Sequence, residues 1–237
     1  MKFRSFAHSD IGRVRTENED SYLCQDAIGL YAVADGIGGL PSGAQASQLT
    51  ISTLKKIVGE HTVGTKLNYE RILAEINDQV FQLGRVISPQ FGIGSTLTFA
   101  HVAGVKLHFG HVGDSNAFRL RSKVLQQLTT DHTIETELKA RAARGEPLGL
   151  LMENRNALTR CIGQPPPLEP DIFTHTILPH DRYLICSDGI SRFVPPEEIT
   201  KVMQEAADPE TVINTLIDRA NERGGLDNST GVALFVE

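Results

Sequence analysis

Four aspartates stand where apolar runs begin or end. Asp35 closes the run 30–35, Asp114 follows 106–112, Asp188 follows 182–186, and Asp227 lies just before 231–236. Two of these runs stop on Asp-Gly, at Asp35-Gly36 and Asp188-Gly189. A buried strand that ends on an acid and turns at once on glycine holds one carboxylate at a rigid edge beside bare backbone. Any single Asp-Gly is commonly just a turn. Four acids at strand junctions point further, because antiparallel pairing brings the end of one strand beside the start of another. Carboxylates gathered in this way raise each other's pKa unless a cation sits between them. The donors are all oxygen, with no Cys or paired His, which favours Mg2+ or Mn2+ over zinc. More than three acids favours two ions sharing one bridging carboxylate, about 3.5–4 Å apart.

Other residues suggest weaker chemistry. The loop 9–20 carries Arg13, Arg15, Glu19 and Asp20. On composition alone it is a solvated charged loop; the alternative is that Glu19 and Asp20 approach a cation while an arginine approaches an anion. The glycine-rich turn after Asp35 enters a helix and could cradle a phosphate. It has neither GxxxxGK[ST] nor GxGxxG spacing, which argues against nucleotide binding. His108 and His111 are three apart in a strand, on opposite faces, and read as structural. Cys24, Cys161 and Cys186 lack CxxC spacing and read as buried free thiols of a reducing compartment.

The elements that must position these groups follow from periodicity. Strands are expected at 2–9, 21–25 and 30–35, with a turn at 26–29. A helix over 44–58 and a second one capped by Asn68 come next. The second presents Tyr69, Ile72, Leu73, Ile76, Val80, Leu83 and Ile87 as one stripe. Strands at 96–102, 106–112, 117–121 and 124–128 read as an antiparallel meander. A helix from 131 to 144 leads into an irregular stretch, 145–167, containing Arg155 and Arg160. Irregular segments of that length are often functional, so 132–167 is expected to be a flap or lid. A strand at 181–186, helices at 196–206 and 209–223, and a strand at 231–236 complete the chain.

Composition sets the outer limits. The 237 residues carry a net charge of −6, which argues against a general basic surface for nucleic acid. No apolar run approaches the roughly 20 residues of a membrane span. The N-terminus has no apolar signal region. A cytoplasmic, monomeric protein with a single domain over 1–237 is expected.

Eight short motifs make the reading specific. They are 9–12 with Arg15 and Asn18-Glu19-Asp20; 34–39 with Gly43; Gly94-Ser95-Thr96; 112–115; Leu128-Thr129 with Asp131-His132; Leu158-Thr159-Arg160 with Ile162-Gly163; Ser187-Asp188-Gly189; and Asp227-Asn228 with Thr230. In this order they resemble the metal-dependent serine/threonine protein phosphatases of the PPM (type 2C) family in its compact bacterial form. The resemblance implies an α+β fold, an α-β-β-α sandwich of two central antiparallel sheets flanked by helices. It implies that Asp35 bridges two Mn2+ or Mg2+ ions, that the Gly36 carbonyl binds one, and that Asp188 and Asp227 hold the other. Glu19 and Asp20 would act through water, Asp114 with Asp188 would bind a third ion, and Arg15, rather than Arg13, would grip substrate phosphate. A metal-activated water would then hydrolyse phosphoserine or phosphothreonine without a phosphoenzyme. The implied partners are phosphorylated proteins, with a Ser/Thr kinase and its substrates. Ile37 stands where many relatives carry a histidine proposed as general acid, and Asn116 where relatives often have arginine. Two alternatives remain: a catalytically inactive relative acting as a binding or scaffold protein, and a hydrolase of a small phosphorylated metabolite.

Overall fold

The computed structural model describes residues 2–38, 42–61, 67–146 and 154–237. Strands β1 (Phe3–Asp10), β10 (Ser229–Val236), β9 (Arg182–Cys186), β6 (Asn116–Arg121) and β7 (Val124–Gln127) form one sheet in that order. Strands β2 (Asp20–Gln25), β3 (Leu30–Asp35), β4 (Leu97–Ala103), β5 (Lys106–Val112) and β8 (Asp171–Thr176) form the other. Every pairing in both sheets is antiparallel. The sheets face each other across Tyr31, Val33 and Phe109 on one side and Ala117, Ile185 and Val232 on the other.

Helices cover both outer faces. α1 (Gly43–Gly59) and α2 (Tyr69–Ile87) pack Ile51, Leu54, Leu73 and Ile76 against Leu97 and Phe99 of the second sheet. α5 (Pro196–Glu205) and α6 (Pro209–Glu222) pack Ile199, Met203, Ile213 and Leu216 against Leu184 and Phe235 of the first. The result is the α-β-β-α sandwich. Central strands are therefore buried on both faces, which is why they read as unbroken apolar runs rather than alternating ones. The helix ends follow the sequence as well. Asn68 accepts the Arg71 amide at 3.0 Å and caps α2, and Asp208 accepts the Thr211 amide at 2.8 Å ahead of Pro209 in α6. Burying Leu73, Ile76 and Val80 completely on α2 contributes about 1.5–3 kcal/mol each.

One expectation needs correction, and two further elements carry no clear signal in the sequence. The four-strand meander does not exist: β4 and β5 pair in one sheet, β6 and β7 in the other. The chain crosses between sheets at Gly113, whose φ of +108° is left-handed and whose absent Cβ leaves room for Thr96. Alternation could not reveal the crossing, because both sheets offer an apolar inner face to the same pattern. Residues 171–176 form a strand, β8, paired along β5 from Thr176 opposite Lys106 to Asp171 opposite His111. Asp188 does not sit in a simple turn but opens a short helix, α4 (Asp188–Ser191).

The segment expected to form a lid is described on both sides of 147–153, which lie outside the described residues. It contains α3 (Ile134–Ala143), none of whose residues is buried. Bridges from Thr133 to Leu158 and from Ser95 to Ile162 fasten its base to the sheet. Arg160 is committed there, donating to the Glu169 carbonyl at 2.9 Å and to Asp171 at 3.0 Å.

Candidate active site

The acids meet at one end of the sandwich. Asp35 is the last residue of β3, and Asp20, the first of β2, lies directly across the ladder from it. Asp188 and Asp227 come from the facing sheet, just past β9 and just before β10, and Asp114 lies on the crossing between sheets. Asp35 stands within electrostatic reach of all four.

The motif residues hold this end together. The Asp35 amide donates to Thr96 Oγ1 at 2.9 Å, and the Asp35 carbonyl accepts from the Thr96 amide at 2.8 Å and Ser95 Oγ at 3.0 Å. Thr96 Oγ1 in turn pairs with Ser115 Oγ at 2.7 Å. Asn228 fastens the 11–19 loop to the start of β10. Its amide nitrogen donates to the Ile11 and Glu17 carbonyls, both at 3.0 Å, and its oxygen accepts the Glu19 amide at 2.8 Å. Ser187 donates to Asp20 Oδ2 at 2.8 Å while accepting the Thr230 amide at 3.0 Å. A Cβ on Gly36 would collide with the Gly43 carbonyl and meet the Glu19 carbonyl at 2.8 Å. Only glycine lets the start of α1 come this close to Asp35.

Charge is unresolved at the centre of this framework. Burial first, then the neighbouring acids, push the Asp35 pKa well above the usual carboxylate range. Burial pushes Asp20 up to about 7, against hydrogen bonds from Thr230 and Ser187, with Asp188 and Asp227 adding repulsion. Asp114 is likewise pushed up to about 7, by burial and by Asp188 against the pull of Arg192. Asp188 is raised by burial, with Arg192 opposing. Asp20 Oδ1 is buried with no hydrogen-bond partner. An orphaned carboxylate oxygen among acids whose ionisation is suppressed fits a hard divalent cation, which would relieve both penalties. Among the described residues no three His, Cys, Asp or Glu side chains enclose one point by themselves.

Two arginines border the acids. Arg15 Nη2 lies 2.9 Å from Asp227 Oδ2, and its guanidinium covers the Gly38 backbone while remaining 37% exposed. Arg13 turns elsewhere, its amide donating to the Gly225 carbonyl at 2.7 Å and its side chain packing on Gly225. Arg192 holds both Asp114 (2.7 Å) and Asp188 (2.8 Å).

The protein phosphatase 2C family model matches residues 3–229. The chain belongs to that family. It is 30% identical to the serine/threonine phosphatase stp of Listeria monocytogenes, over 97% of this chain and 93% of that one. The S. agalactiae serine/threonine phosphatase superposes with a TM-score of 0.87 at 30% identity, covering all of both chains. The catalytic domain of the phosphatase PstP, solved with two manganese ions, superposes at 0.84 with 32% identity over 99% of each chain. The chain is thus a metal-dependent serine/threonine phosphatase by family.

Asp20, Asp35, Asp114, Asp188 and Asp227 gather at one end of the sandwich, with Glu19 and Arg15 at its edge. Arg192 was not singled out, although it stands four residues after Asp188, the spacing of neighbours on one helix face. Ile37 is held by its amide, which donates to the Gly94 carbonyl at 2.9 Å. Asn116 donates to Asp131 at 2.7 Å and so braces the loop beside Asp114. His111 is buried against Thr98 and His108 bonds Thr174, so both are structural. The cysteines are free; burial raises all three thiols, Cys161 to about 11, and none is a ready thiolate. No described helix is long and apolar enough to cross a membrane.

Proposed function

We propose that the chain hydrolyses phosphoserine and phosphothreonine in proteins by direct attack of water, without a phosphoenzyme intermediate. One arrangement carries this reading: a group of acids with suppressed ionisation, rimmed by the half-exposed Arg15 guanidinium. Asp35, the Gly36 carbonyl, Asp188 and Asp227 are the groups that would hold two Mn2+ or Mg2+ ions, with Asp35 common to both. When bound, the ions supply a water of lowered pKa and stabilise charge on the phosphoryl oxygens.

The chain's own residues do the rest. Arg15 presents a planar fork that matches two phosphate oxygens, and Asp227 keeps that fork at the rim. Ser187 fixes Asp20 through Oδ2, leaving Oδ1 to accept a hydrogen bond from a water in the site. Glu19 lies 4.0 Å from Arg15 and acts through water in the same way. Ile37 cannot donate a proton, so protonation of the leaving alkoxide falls to water. The cysteines take no part. His132, at the base of the segment 132–167, bonds Gly113 beside Asp114, and α3 with the other described residues of that segment forms the surface that meets a protein substrate. The substrates are products of a Ser/Thr kinase.

The test is hydrolysis of a phosphothreonine peptide with Mn2+, with chelator, and with Asp35→Ala. Metal-dependent turnover should disappear in the variant and under chelation. Arg15→Ala should mainly raise KM, about tenfold or more if one charge-assisted contact of about 1.5–3 kcal/mol is lost. Full turnover under chelation would sink the two-ion reading. A wild type that binds Mn2+ yet cleaves no phosphopeptide would favour a scaffold protein, and one that cleaves only small phosphate esters a metabolite hydrolase.

A further inference from the structure

Arg192 is placed where a further cation would otherwise go. Asp114 lies on the crossing between the sheets and Asp188 at the start of α4, and both are largely buried at the side chain. One guanidinium spans them, Nη2 to Asp114 Oδ2 at 2.7 Å and Nη1 to Asp188 Oδ2 at 2.8 Å. Arg192 is fixed for this by its backbone, whose amide donates to the Asp188 carbonyl at 2.9 Å across the single turn of α4. Its own side chain remains 41% exposed, so the fork closes the acid cluster from the solvent side.

We propose that Arg192 is the built-in counter-charge of the Asp114–Asp188 pair, so that this chain takes two divalent ions and excludes a third. The proposal rests on the two-ion reading above for Asp35 and Asp227. A guanidinium is permanently charged and supplies several donors in one plane, so it neutralises two carboxylates without requiring any ion concentration in solution. A third ion would have to displace that fork from both carboxylates at once. Asp188 can still serve the two-ion centre through its other oxygen, whereas Asp114 has no second cation partner among the described residues. Arg192 is therefore a positioning residue: it decides how many ions the cluster holds, and touches no reacting atom.

Counting bound Mn2+ by equilibrium dialysis and native mass spectrometry, on full-length wild type, Arg192→Ala and Arg192→Gln, tests this directly. Wild type should saturate at two ions. Both variants should take a third, at least about tenfold more tightly than any third ion on wild type. Adding Asp114→Asn to Arg192→Gln should remove that third ion again. Three ions on wild type with the same third affinity as the variants overturns the proposal, and so does a count of two in all proteins. Circular dichroism identifies an unfolded variant, and the glutamine form keeps much of the arginine's bulk. Loss of the first two ions in Asp35→Ala speaks to the two-ion reading separately. Failure there and failure at the third position are thus distinguishable.

Discussion

Strand β9 is flanked by two buried aspartates that behave in opposite ways. At its start, Asp181 is 1% exposed and fully answered by the protein. Arg121 grips it with two bonds, 2.7 and 2.6 Å, Tyr183 donates at 2.8 Å, and the Leu178 amide at 2.9 Å. Burial alone would raise its pKa, but these donors outweigh burial and hold it below the ordinary value. Beyond the strand's other end, Asp188 lies among Asp20, Asp35 and Asp227 with Arg192 as its one ion-pair partner among the described residues, and its pKa is raised by burial despite Arg192 and the more distant Arg15. The two carboxylates are seven residues apart, just beyond opposite ends of one strand. What differs is completeness: a finished carboxylate belongs to the fold, and an unfinished one marks where something from outside must bind.

The sharpest way to break this comparison is to exchange the roles of its two ends. Asp188→Asn should cut Mn2+-dependent turnover by about 10²-fold or more, since several kcal/mol of charge stabilisation depend on the ions, while leaving urea stability nearly unchanged. Asp181→Ala should do the reverse. Orphaning Arg121 and Tyr183 should cost about 3 kcal/mol, the low end for a broken buried pair because Arg121 is partly solvated. Turnover at a permissive temperature should stay within about twofold of wild type, well under 1 kcal/mol. Equal loss of turnover in both variants would erase the distinction.

Acid and base should also act oppositely at the two ends. Asp20 and Asp114 hold protons up to about pH 7 in the fold, whereas an unfolded aspartate releases them near 3.8. Between those values the folded state binds more protons, so metal-free stability should fall as pH rises from about 4 to about 7. Saturating Mn2+ should flatten that fall when melting is followed by calorimetry. Asp181 contributes with the other sign. Its stabilisation is present above 3.8 and is lost as pH falls through its lower folded value. A metal-free melting temperature that climbs steadily from pH 5 to 7.5 would contradict the assignment. The smallest effect concerns Arg121→Lys, which keeps the charge but loses the fork. It should cost about 1 kcal/mol in urea unfolding, with the count of bound ions unchanged.

Much of this was legible in the sequence, for local reasons. Leu30–Asp35 and Arg182–Cys186 announce themselves because central strands covered on both faces are apolar along nearly their whole length. The α2 stripe is legible because one face of a helix repeats every third or fourth residue. Partition between sheets was not, since the crossing at Gly113 leaves no trace in alternation. Asp20 reads as the end of a charged loop, yet hairpin register determines its position. With Gln25 opposite Leu30 around the turn, five steps back put Asp20 opposite Asp35. Arg192 was hidden for a different reason. Gly189 disfavours a helix by about 1 kcal/mol, so in the sequence the four-residue spacing from Asp188 has no helical context, which only the short α4 supplies.

The pairing of β1 with β10, from Phe3 opposite Val236 to Asp10 opposite Ser229, has a consequence for synthesis. The loop bearing Arg15 and Glu19 leaves the ribosome well before the Asn228 that fastens it, which follows Glu19 by 209 residues. At about 5–20 residues per second, some ten seconds or more separate the two. Throughout that interval a nascent chain carries Arg15 without the Asp227 and Asn228 contacts that hold it and its loop in place. The phosphatase should be silent on the ribosome and become active only when residues 227–236 have emerged, so that no truncated product dephosphorylates anything.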